Sequence, residues 1–114
     1  MEYMALDQLF GSVTTKRILL HLFHYSEIHA AGIAHDYNSS ITPFTRKLNG
    51  LEEAGILVSR LAGRTRLYQL NPKSAYTTAL RKLVEVAYET TPLTEREKIF
   101  HERRRPRRKG KPVL

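Results

Sequence analysis

Leu51-Glu52-Glu53-Ala54-Gly55-Ile56-Leu57-Val58-Ser59-Arg60 is where the hydrophobic period of this chain changes from that of a helix to that of a strand. Upstream, Phe44, Leu48, Leu51 and Ala54 recur at i, i+4, i+7 and i+10, one face of a helix. Gly55 follows directly, and a glycine just past the last periodic residue predicts a helix C-terminus. From Leu57 the period is two. Residues 57–61 and 66–70 predict antiparallel strands around a glycine-containing turn at 62–65, and Asn71-Pro72 stops the hairpin.

Working outward towards the N-terminus, Asn38-Ser39-Ser40 is a turn by composition. Ser40 is a good N-cap for the helix that follows; Thr42, with Pro43 at the first helical position, is the competing start. Residues 28–37 predict a short helix with Ile28, Ile33, Ala31 and Ala34 apolar. Residues 13–24 predict an amphipathic core helix capped by Ser12. Its buried face carries Ile18, Leu19, Leu22 and Phe23, with Lys16, Arg17, His21 and His24 mostly off it. Leu6, Leu9 and Phe10 form a short helical stripe ended by Gly11. Towards the C-terminus, residues 73–90 predict a longer helix with Tyr76, Leu80, Leu83, Val84, Ala87 and Tyr88 as its stripe. Thr94-Glu95-Arg96-Glu97 matches a capping box, so a last short helix runs towards Arg105.

The predicted class is mainly α with a small β-hairpin. Two short helices joined by a three-residue turn fit a helix-turn-helix, and a hairpin with a basic tip after the second helix fits an added wing. At these residues the chain resembles the winged helix-turn-helix transcription regulators of the broad ArsR-like and MarR-like group. The resemblance rests on Ile33-Ala34, on Phe44, Leu48 and Leu51, on the 51–60 junction, and on Gly63-Arg64-Thr65-Arg66-Leu67-Tyr68-Gln69-Leu70. It implies a three-helix core plus wing over residues 12–71, preceded by a short helix at 1–11. A helical region at 72–101 and a basic tail at 102–114 complete the predicted organisation.

A helix entering the major groove needs hydrogen-bonding ends on its exposed face and no carboxylates there. No acidic residue lies between Asp36 and Glu52, and Ser40, Thr42, Thr45, Arg46, Lys47 and Asn49 fall in that window. Arg46 suits bidentate reading of guanine and Asn49 of adenine; Thr42 and Thr45 suit phosphates or a thymine methyl, and Lys47 a phosphate. The alternative is an ordinary solvated helix face. Arg60, Arg64 and Arg66 cluster at or near the hairpin tip, with no acid between Glu53 and Glu85. The resemblance implies that the wing tip meets backbone or minor groove, with Arg64 making the contact. The alternative is charge that protects an edge strand. Gly50 departs from the family pattern of a helix-favouring polar residue.

The formal net charge is +8 over 114 residues, and it is concentrated at one end. Arg103, Arg104, Arg105, Arg107, Arg108, Lys109 and Lys111 stand against one acid in residues 102–114, broken by Pro106, Gly110 and Pro112. Such a run predicts an extended arm that binds nucleic-acid phosphates, or else a merely solubilising tail. The absence of cysteine excludes disulfides, thiolate metal sites and thiol redox sensing. The longest apolar run, residues 18–23, falls far short of the ~20 residues that a bilayer span needs. No secretory signal is visible, so the expected location is the cytosol and no membrane partner is expected.

His21, His24, His29 and His35 invite a metal test, but the first two lack a nearby carboxylate in sequence and no metal or other cofactor is expected. No phosphate-binding glycine loop, HExxH or Gly-x-Ser-x-Gly motif is present, so no enzyme is expected. The expected function is a sequence-specific duplex DNA-binding regulator, with residues 40–54 in the major groove and 60–66 as the wing. Two-fold symmetry would double the few base pairs that a monomer reads. Leu6, Leu9 and Phe10, with Leu80, Leu83, Val84 and Ala87, are the candidate homodimer interface; otherwise they cap the monomer core. Repression is what the resemblance implies, and no small-molecule effector is legible. Two rivals stay open: an RNA-binding or ribosome-associated winged helix, and a protein-interaction adaptor or toxin-neutralising partner.

Overall fold

The computed structural model describes the backbone of residues 5–104 and the side chains of residues 7–100. The elements run α1 (Ala5–Phe10), α2 (Val13–Tyr25), α3 (Ala30–Asp36), α4 (Thr42–Glu53), β1 (Leu57–Ala62), β2 (Thr65–Leu70), α5 (Thr77–Thr90) and α6 (Leu93–Arg104). Helix α2 is the central rod. Ser12 is its N-cap, accepting from the Thr15 N–H at 3.2 Å, as the sequence predicts. Ile18, Leu19, Leu20 and Leu22 are all buried, because α1, α3, α4 and α5 pack around the rod.

His21 departs from the sequence reading. It is fully buried (0% exposed), not off the apolar face. Its Nδ1 donates to the Arg17 carbonyl at 3.1 Å, and its Nε2 meets Asp36 Oδ2 at 2.9 Å. The carboxylate partner lies on the next helix, and that pairing is what makes burial of the imidazole tolerable.

Ile28 is the second departure. The sequence places it in a helix; the structure places it in extended backbone bridged to Tyr68. The Ile28 N–H donates to the Tyr68 carbonyl at 3.0 Å, and the Tyr68 N–H to the Ile28 carbonyl at 2.8 Å. One residue thus acts as a third strand beside β2.

Helix α4 starts at Thr42 with Pro43 in its first turn, and no side chain caps it. Ser40 lies exposed ahead of the helix; proline already removes one of the donors that a cap would serve. Phe44 and Leu48 are buried, Leu51 is half-buried, and Ala54 is exposed rather than inward. Gly55 has φ +82°, the Gly55 N–H reaches the Glu52 carbonyl and the Ile56 N–H the Leu51 carbonyl, both at 3.0 Å. These two bonds are a Schellman termination, which requires a left-handed residue and so selects glycine.

The strands pair from Leu57↔Leu70 to Ala62↔Thr65, leaving a two-residue loop of Gly63 and Arg64. Gly63 has φ +64° and Arg64 does not, the pattern of a type II′ turn.

Helix α5 starts four residues later than expected. Asn71 Oδ1 accepts from the Lys73 N–H, Asn71 Nδ2 donates to the Gly55 carbonyl, and the Thr77 hydroxyl donates to the Asn71 carbonyl. That turn occupies the residues assigned to the helix, and Tyr76 is 66% exposed rather than part of a buried stripe. Helix α6 begins one residue before Thr94, so Thr94 is not its cap. Phe100 is buried; its ring stacks on His24 at 4.0 Å, with the His21 and Tyr25 rings nearby. This docking folds the C-terminal helix back against α2 and α3.

Candidate nucleic-acid interface

Buried Phe44 and Leu48 fix the rotation of α4, so Thr42, Thr45, Arg46 and Asn49 are exposed and Lys47 is half-buried. The neighbouring carboxylates are largely withdrawn. Asp36 is sequestered against His21, and Glu52 Oε2 accepts from the Ser59 hydroxyl at 2.7 Å. Glu53 is exposed in the last turn. Ser59 Oγ in turn accepts from Arg66 Nη1 at 2.9 Å. A chain of side chains therefore ties the end of α4 to both strands of the hairpin.

The three hairpin arginines differ in setting. Arg64 occupies the loop itself and is exposed. Arg66 is exposed and directed back towards Ser59. Arg60 is engaged by Glu27, with Nε and Nη2 donating to the two carboxylate oxygens at 2.8 and 2.9 Å. The bidentate bond holds the Glu27 carboxyl below its ordinary range. Glu27 lies in the link between α2 and α3, so this pair braces the hairpin against the body.

Between α4 and the hairpin runs a groove of about 380 Å³, lined by Thr45, Asn49, Arg64, Arg66 and Tyr68 together with the start of α3. The Tyr68 hydroxyl donates to Asn49 Oδ1 at 2.7 Å across it. On the other flank of α4, Arg46 and Lys47 share a recess with Ser12, Thr14 and Pro43. Glu27 and Tyr68 are the residues that sequence reading missed; each acts through a partner on another element, which no local pattern encodes.

The remaining candidates are more scattered. Arg103 and Arg104 fall in the last turn of α6, and nothing is described of their side chains; Arg105, Arg107, Arg108, Lys109 and Lys111 lie outside the described residues. Leu6 has no described side chain. Leu9 is 64% exposed; Phe10 and Leu83 are also exposed, and Leu80 is half-buried. Val84 and Ala87, assigned by sequence to an interface, are 4% and 8% exposed within this chain, because α5 spends that face on α2. Among the described residues no three His, Cys, Asp or Glu side chains gather, and no helix is long and apolar enough to cross a membrane.

No known family profile matches the chain, and no curated protein sequence does. Solved structures do. The structure of reduced AbfR bound to DNA aligns over 92% of this chain and 78% of its own, with TM-score 0.55 and 19% identity. A MarR-family transcriptional regulator from Rhodococcus sp. RHA1 aligns over 99% of this chain and 84% of its own, with TM-score 0.57 and 16% identity. A MarR-family regulator from Silicibacter pomeroyi aligns over 99% and 82%, with TM-score 0.54 and 12% identity. At such identities the likeness is one of fold, and the chain has the winged helix-turn-helix fold that these regulators share.

Proposed function

We propose that this chain is a sequence-specific, duplex DNA-binding transcription regulator. One observation carries the reading: the exposed polar face of α4 and the arginine tip of the hairpin flank a single groove. Helix α4 then enters the major groove, where Arg46 reads guanine and Asn49 contacts a base edge. Thr42, Thr45, Lys47 and Ser40 meet phosphates or a thymine methyl. Arg64 reaches backbone or minor groove, Arg66 lies behind it, and Arg60 serves mainly to brace the wing through Glu27. The tail from Arg103 to Lys111 adds phosphate contacts. That AbfR, a protein of the same fold, was solved bound to DNA supports the reading.

The active form is a homodimer that represses by occupying promoter DNA in the cytosol. Leu9, Phe10 and Leu83 supply apolar area exposed on one copy, and Leu6 and the half-buried Leu80 complete the proposed interface. Val84 and Ala87 stay within each protomer's core.

The test is selection of bound fragments from sheared genomic duplex by the full chain at about 150 mM salt. A near-palindromic motif with half-sites about one helical turn apart is the expected result. Retention without a motif would refute sequence reading, and tighter binding to structured RNA would replace duplex DNA as the target.

A further inference from the structure

The Tyr68–Asn49 hydrogen bond joins a rigid residue to a free one. Tyr68 is buried; its backbone N–H and carbonyl both bond to Ile28 in the α2–α3 link, and it lies opposite Ser59 of β1 in the hairpin register. Its hydroxyl position is therefore set by three elements at once. Asn49 is exposed on α4, and among the described residues its carboxamide makes no hydrogen bond other than the one from Tyr68. Burial raises the Tyr68 phenol above its ordinary pKa, so the hydroxyl remains a donor. The donor needs an acceptor, and Oδ1 is the one it has. Flipping the amide would bring Nδ2 to the phenol oxygen and leave the hydroxyl hydrogen without a partner.

A free asparagine presents donor and acceptor in either order, whereas this one presents them in one order. Major-groove edges differ in that order: adenine offers a donor and an acceptor, guanine two acceptors, cytosine a donor. We propose that Tyr68 determines the base preference of Asn49 without touching DNA, by holding its carboxamide in one orientation. The proposal rests on α4 being the major-groove helix. Tyr68 is thus a positioning residue, and the molecule it helps to recognise is a base pair of duplex DNA.

The experiment is selection from a randomised duplex library by the full chain and three variants. Asn49→Ala identifies the base position that Asn49 reads. Tyr68→Phe should flatten the preference at that position about 5-fold or more, the lower end of what a base contact supplies, and leave the Arg46 position unchanged. Asn49→Gln breaks the same bond from the solvent side without entering the core, and should flatten the same position. An unchanged profile in Tyr68→Phe and Asn49→Gln overturns the proposal. So does an equal loss at every position, which marks Tyr68 as a core residue only, and so does an Asn49→Ala profile identical to the parent. If the parent chain selects no motif, the DNA reading itself falls and takes this proposal with it; a parent motif with unaltered variants removes the proposal alone.

Discussion

At the scale of single residues, polar groups in this protein are sorted by whether a partner can reach them. Arg46 faces solvent on α4, so on the proposed reading Arg46→Ala should cost about 1–3 kcal/mol at one or two base positions and little elsewhere. Competition binding against single-base variants of the selected site checks this; an equal loss on every sequence would show a phosphate contact instead. Asp36 faces inward, where both members of the His21 pair are essentially unexposed. Removing the carboxylate takes away the buried His21 Nε2 hydrogen-bond partner, so Asp36→Ala should lower stability by about 1–3 kcal/mol in urea denaturation. The contrast also shows what was legible. The outward placement of Thr42, Thr45, Arg46 and Asn49 follows from the spacing of Phe44 and Leu48 alone. The inward placement of His21 does not, because periodicity records polarity and its carboxylate partner lies 15 residues on.

At the scale of elements, ends were harder to read than middles. The termination of α4 was legible because Gly55 supplies a backbone conformation that few other residues adopt. The start of α5 was not, because the side chain of Asn71 competes with the helix for the backbone groups of the next turn. The hairpin was legible from its alternation, but its brace was not, since Glu27 reads as an ordinary linker residue. The brace carries a pH dependence. Glu27 has a folded pKa below its ordinary value, because Arg60 stabilises the charged form. Its contribution is therefore fully present above about pH 4.5 and is lost as pH falls through the lower folded value. Hydrogen exchange at β1 and β2 should accelerate across that acid window relative to α2, after correction for intrinsic rates. In Glu27→Gln the relative acceleration should vanish, with exchange already faster at neutral pH.

At the scale of the whole molecule, charge and fold are separable. The described helices and hairpin span residues 5–104, whereas seven of the chain's 19 basic side chains lie from Arg103 onward, two of them in the last turn of α6. Truncation after residue 101 should weaken binding to all duplexes and flatten the dependence of log K on log salt, because phosphate contacts carry little sequence information. A salt titration of both proteins checks it, and equal slopes would remove the tail from the interface. The sequence disclosed this division plainly. It did not disclose that Phe100 docks α6 onto α2 and α3, which fixes the side of the molecule from which the tail departs. The hairpin gives the molecule its other outlying part. The backbone bonds from the hairpin to the α2–α3 link are at Tyr68, and beyond them three residue pairs project about 10 Å to the Gly63-Arg64 loop, braced near their base by Arg60–Glu27 and by the Arg66–Ser59–Glu52 chain. Such a ribbon is a cantilever: stiff at the root, compliant at the tip. On the proposed DNA-binding reading, that compliance would let Arg64 follow a groove a few ångströms wider or narrower while α4 stays seated, and the width of the duplex, not only its base edges, would become something such a molecule gauges.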